Sequence, residues 1–128
     1  MDTTASRKTI LIADDDEFIT IAYKAGLERA GYVVIIAEDG DQTIELIATF
    51  RPDLVLLDVI MPKQNGFEVL KVVKNHPDYS HIPVVMLTNL GQESDEQAAR
   101  SYGADGFLIK ANVTLNDVLL NIEQLLTS

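Results

Sequence analysis

Cysteine is absent from this chain of 128 residues. Disulfides and thiolate metal centres are therefore excluded, and a reducing cytoplasm is the simplest location. Long apolar runs are also missing. None approaches the roughly 20 residues a membrane span needs, and residues 1–8 hold no apolar stretch of the kind a secretory leader has. Basic residues are scarce, with 10 Lys and Arg against 20 Asp and Glu, a formal net charge of −10. Such a chain repels phosphate backbones, so direct nucleic-acid binding is not expected. No GxGxxG, GxxxxGK[ST] or GxSxG pattern occurs, which argues against nucleotide-binding and hydrolase classes. Internal repeats, low-complexity tracts and linkers are lacking too.

What remains is ordinary globular composition, 47% hydrophobic and 23% charged, in a length that suits one domain. Short, nearly continuous apolar runs alternate with amphipathic segments, the pattern of a parallel sheet covered by helices on both faces. Strands are expected at 9–13, 33–37, 53–57, 83–87 and 106–109. Helices are expected at 16–30, 41–50, 66–75 and 92–102, with a fifth running to the C-terminus. The first should bury Ile19, Ala22, Gly26 or Leu27, and Ala30, and stop at Gly31. The second should point Ile44, Leu46 and Ile47 inward and end before Pro52. The third should use Phe67, Val69, Leu70 and Val73. The fourth is poor in apolar residues (Ala98, Ala99, Tyr102) and should be the least firmly held. The fifth has the clearest stripe, Leu115, Val118, Leu119, Ile122, Leu125 and Leu126, behind a Thr114/Asp117 capping box. Right-handed crossovers leave few topologies. The reading is an α/β, flavodoxin-like (βα)5 three-layer sandwich with strand order 2-1-3-4-5, a flexible tail at 1–7 and one domain at 8–128.

Four of the strands run directly into polar residues: Asp14-Asp15-Asp16, Asp58, Thr88 and Lys110. Open parallel sheets bind ligands beyond the carboxyl ends of their strands, and order 2-1-3-4-5 brings Asp14 and Asp15 beside Asp58. Magnesium takes oxygen ligands, keeps several waters and is held by one or two carboxylates plus phosphate oxygens, which Asp14, Asp15 and Asp58 can supply. A carboxylate can also act as the nucleophile of an acyl phosphate. Asp58, ending the central strand among the other three strand ends, is the candidate. Lys110 and Thr88 would meet the charge on the phosphoryl oxygens. Asp16 is expected to be a helix N-cap, and His76 and His81 are assigned to solvent.

The constellation resembles the receiver domain of bacterial two-component response regulators across residues 9–126. The matching stretches are 10–16 (ILIADDD), 52–58 (PDLVLLD), 61–66 (MPKQNG), 83–88 (PVVMLT) and 103–110 (GADGFLIK). The resemblance implies that Asp58 accepts a phosphoryl group from a sensor histidine kinase or a histidine phosphotransfer protein. It implies Mg²⁺ held by Asp15 directly, by Asp14 through water, and by the Val59 carbonyl. Lys110 would bind a phosphoryl oxygen, while Thr88 and Phe107 would act as a coupled switch, and Gly66 and Pro62 would shape the loop after the acceptor. The expected function is a single-domain regulator in a two-component phosphorelay. It would be a phosphoprotein that signals to a downstream protein through helix four, strand five and helix five, or relays the phosphoryl group onward. It would be no enzyme toward a separate substrate, would contact no membrane, and would exist as a monomer or a phosphorylation-dependent dimer.

Three positions depart from the family pattern, one of them Phe107, which is common enough there but lacks the hydroxyl of Tyr. Lys110 is followed by Ala111 where the family usually has proline in a cis bond. A cis bond to a non-proline residue costs about 3 kcal/mol, so this loop is either trans and altered or strained. Asn89 stands where a small residue is usual and either crowds Thr88 or adds a hydrogen bond. A flavin-binding electron carrier on the same fold is the competing class, but Asp14-Asp15-Asp16-Glu17 would repel the flavin phosphate. A metal-dependent phosphatase would need a second acid two residues after the nucleophile, where Ile60 stands.

Overall fold

A computed structural model describes residues 7–127, so most of the expected N-terminal tail lies outside the described residues. Five strands and five helices alternate: β1 (Thr9–Ala13), α1 (Glu17–Arg29), β2 (Val33–Ala37), α2 (Gly40–Phe50), β3 (Leu54–Leu57), α3 (Gly66–Asn75), β4 (Val84–Thr88), α4 (Glu93–Ser101), β5 (Gly106–Ile109) and α5 (Leu115–Thr127). The strands form one parallel sheet in the order β2-β1-β3-β4-β5. The flavodoxin-like architecture read from the pattern is the one observed.

Strand alternation sends successive side chains to opposite faces, and here both faces are apolar. Leu11, Ala13, Val55, Leu57, Val84 and Met86 pack with Ile47 of α2, Val69, Leu70 and Val73 of α3, and Ala99 of α4. Ile10, Ile12, Leu54, Leu56, Val85 and Leu87 pack with Leu27 of α1 and Val118 and Ile122 of α5. Burying side chains of this size contributes about 1.5–3 kcal/mol each, so the two clusters together hold the three layers.

The helix boundaries follow local chemistry. Asp16 caps α1, accepting from the N–H groups of Phe18 and Ile19, as expected. Gly31, at φ 102°, ends that helix in a conformation that side chains disfavour. The Thr114/Asp117 capping box is present in both directions. Two expectations fail. Ala22 and Ala30 are exposed, and α1 turns Thr20 and half-buried Tyr23 inward along with the expected Gly26 and Leu27. Counting only apolar residues missed the polar Thr20, whose hydroxyl donates to the Glu17 carbonyl and so can be buried. His76 is half-buried rather than solvated. Its ring stacks on Tyr79 at 3.9 Å, and Nδ1 accepts from the Asp78 N–H.

Candidate functional site

The site is assembled by strand register. Ala13 of β1 pairs with Leu57 of β3, and Asp58 N–H donates to the Ala13 carbonyl at 2.9 Å. Asp14 and Asp58 therefore leave the sheet at the same level. Leu57 pairs with Met86 and Thr88 with Ile109, so Thr88 and Lys110 come off the neighbouring strands slightly further along. Gly66 closes the loop after Asp58. Its N–H donates to the Val59 carbonyl at 2.7 Å, and a Cβ at this position would fall onto the Asp58 carbonyl.

Asp14 and Asp58 are buried, while Asp15 is exposed. Carboxylate oxygens of all three lie within 4.8 Å of one another. Lys110 spans two of them, with its Nζ 2.6 Å from Asp14 Oδ2 and 2.9 Å from Asp58 Oδ2. The remaining oxygens are partly engaged. Asp14 Oδ1 accepts from the Asp16 N–H (2.9 Å), and Asp58 Oδ1 accepts from the Ile60 N–H (3.3 Å).

Three carboxylates against one ammonium leave two negative charges, the complement of a divalent cation. The donors are hard oxygens in an open arrangement, and Val59 retains a second carbonyl lone pair, so the set fits Mg²⁺ with waters completing its shell. The electrostatics show what the protein does without an ion. Burial raises the Asp14 pKa above its ordinary value, and the Asp58 charge adds to this. Lys110 and the Asp16 N–H oppose the rise without cancelling it. Burial works against the Lys110 ammonium, but hydrogen bonds and charge from Asp14 and Asp58 outweigh it and raise that pKa.

Thr88 is fully buried, and its hydroxyl accepts from the Leu90 N–H at 3.3 Å. It is thus engaged with its own loop rather than with Asp58. Phe107 is half-buried on β5 opposite Met86, packed against the cluster shared by α2, α3 and α4. The expected residues Asp14, Asp15, Asp58 and Lys110 converge, whereas the Val59 carbonyl accepts from Gly66 and Thr88 bonds its own loop.

Two features escaped the sequence. Lys110 bridges both buried acids. Tyr23 lies close enough for its phenol to feel Lys110 and Asp14, although burial is the main reason its pKa is raised. Its position on the α1 stripe with Leu27 was the available signal. The Lys110–Ala111 bond is trans, since no cis peptide occurs among the described residues, and the Ala111 N–H donates to Asn89 Oδ1 at 3.1 Å. Two of the departures from the family pattern, Ala111 and Asn89, thus meet each other.

The family model described as the response regulator receiver domain matches residues 10–122. The chain is 39% identical over 103 residues to the alkaline phosphatase synthesis transcriptional regulatory protein PhoP of Bacillus subtilis, a match covering 80% of this chain and 42% of PhoP. It therefore spans about two fifths of that relative's length. The polar-differentiation response regulator DivK of Brucella anthropi is 31% identical over 80% of this chain and 84% of its own. The chemotaxis response regulator CheY4 of Vibrio cholerae superposes with a TM-score of 0.86 at 29% identity, over 93% of this chain and 98% of CheY4.

Proposed function

This chain belongs to the response regulator receiver family, and on that premise we propose that it is a phosphorylation-dependent switch whose acceptor is Asp58. The observation that carries the reading is the Lys110 ammonium bridging Asp14 and Asp58 within a cluster of three carboxylates. An Asp58 carboxylate oxygen attacks the phosphorus of a phosphohistidine on a kinase or histidine phosphotransfer protein. The P–O bond forms as the P–N bond breaks, and the departing imidazole keeps the bonding pair and takes a proton from water. Asp14, Asp15, Asp58 and the Val59 carbonyl would hold Mg²⁺, which when bound would supply charge that offsets the meeting of anions. Lys110 exchanges the Asp58 oxygen for a phosphoryl oxygen, and Thr88 leaves Leu90 to bind another. Output passes to a protein partner through α4, β5 and α5, or the phosphoryl group is relayed onward. The chemistry is confined to the chain's own acceptor. A cytoplasmic setting suits these partners, and among the described residues no helix is long and apolar enough to cross a membrane.

The test is intact-mass measurement after incubation with a small-molecule phosphodonor, with and without Mg²⁺. One phosphoryl group should add to the wild type, and none to Asp58→Asn or to wild type in excess chelator. Full modification of either control would refute the reading.

A further inference from the structure

Asn89 follows Thr88, and Ala111 follows Lys110. Because Thr88 pairs with Ile109, the loops after β4 and β5 leave the sheet side by side. One hydrogen bond joins them, from the Ala111 N–H to Asn89 Oδ1 at 3.1 Å. Ala111 lies in a short 3₁₀ turn, Lys110–Asn112, that follows β5 directly. The first N–H groups of a helical turn have no partner within it, and here the partner comes from the neighbouring loop.

We propose that Asn89 is a positioning residue for phosphoryl acceptance, holding the turn from which Lys110 reaches the acid cluster. The lysine stem is flexible, so its ammonium is placed by constraints at both ends. At the tip are Asp14 and Asp58. At the base is the bond that Ala111 donates to Asn89. When a phosphoryl group arrives, the tip must let go of the Asp58 oxygen, and the base constraint is what keeps the ammonium within reach. The same bond fastens the Lys110 turn to the residue next to Thr88. Movement of either oxygen-binding group is therefore felt by the other.

The inference rests on Asp58 being the acceptor, and its test separates the two. Asn89→Ala should expose the Ala111 amide, shifting its resonance and speeding its hydrogen exchange. The phosphorylation rate at saturating phosphodonor should fall roughly fivefold, the scale of one hydrogen bond of ordinary net strength. The donor concentration at half-saturation should hold, and the thermal midpoint should fall by no more than the roughly 4 °C that one such bond is worth in a domain of this size. Asn89→Asp keeps an acceptor in place, so it should retain the Ala111 resonance and recover most of the rate. An unmoved Ala111 amide in Asn89→Ala, a rate within about twofold of wild type, or an equal loss in both variants would overturn the assignment. So would a rate loss that merely tracks a lowered midpoint. A wild type that takes up no phosphoryl group would fell the Asp58 reading as well, whereas a phosphorylated wild type matched by Asn89→Ala would sink this inference alone.

Discussion

Asp14 shows how a single residue is held at a cost to the fold. Its folded pKa is raised, chiefly by burial, so the neutral form is favoured more in the folded state than in the unfolded one. That stabilisation is full below the unfolded value of 3.8 and is lost as pH rises through the folded value. At neutral pH without metal, Asp14→Asn should therefore raise the thermal midpoint by a few degrees, and the gap should narrow as pH falls toward the unfolded value. A midpoint lowered by the substitution in chelator at pH 7 would contradict this. Ile60 and Leu90 bear on the lifetime of the modified state. Ile60 is exposed and Leu90 half-buried, so Ile60 does not cover the acceptor in this conformation. Neither can orient a water, however, and Asn89 Oδ1 is already committed to Ala111. The phosphorylated protein should be comparatively long-lived, and Ile60→Asn should speed dephosphorylation about tenfold, below the roughly hundredfold that a positioned acid or base contributes, because an amide orients a water without taking its proton. An unchanged decay rate, read by intact mass over time, would show that water orientation is not limiting.

Among the elements, α4 is the one least anchored. Ala99 is its only fully buried residue, and Tyr102, at its C-terminal end, meets Phe67 of α3 edge-on at 5.8 Å and has the Lys71 ammonium 4.3 Å from its ring centre. Elements with few buried apolar side chains are the ones that move at low cost. If Thr88 shifts from Leu90 toward a phosphoryl oxygen, it leaves space beside β5 that the Phe107 ring can enter without stranding a hydroxyl. Binding of a phosphate analogue should therefore change amide shifts from Asp58 through Thr88 into residues 91–110. Changes confined to the loops around Asp58 would break the coupling. By contrast α3, with Val69, Leu70 and Val73 buried and a capping box between Asn65 and Glu68, should stay in place.

Over the whole molecule, net charge and metal binding are linked. The chain carries −10, and part of that charge is held as the converging acids Asp14, Asp15 and Asp58 at one sheet edge. A cation that binds this edge only in the folded state stabilises all of the molecule, by about 2.7 kcal/mol at a hundredfold excess over its dissociation constant. Mg²⁺ should raise the thermal midpoint of wild type with the logarithm of its concentration once that exceeds the dissociation constant. The rise should shrink in Asp15→Ala, whose exposed side chain can be removed without opening the core. An equal rise in both proteins would place the ion elsewhere.

The sequence by itself determined the sheet, its order and the identity of the acid cluster. Those follow from local patterning: apolar runs too short for anything but strands, helix caps at Asp16 and Thr114, and polar residues placed where strands must end. The nearly continuous apolar runs of β1, β3 and β4 also required cover on both faces, and the structure supplies it as two separate clusters. Only the tertiary structure decided which face α1 buries, since Thr20 satisfies its hydroxyl on a carbonyl and can go inside where exposed Ala22 does not. It also decided the partners of Lys110 and Asn89. A long flexible ammonium and a loop amide have no periodicity. Their positions are set by groups 96 and 52 residues away in one case and 22 in the other, counting from Lys110 to Asp14 and Asp58 and from Ala111 to Asn89. Such contacts exist only once parallel strands have brought their ends together, and nothing within a local window of residues encodes them.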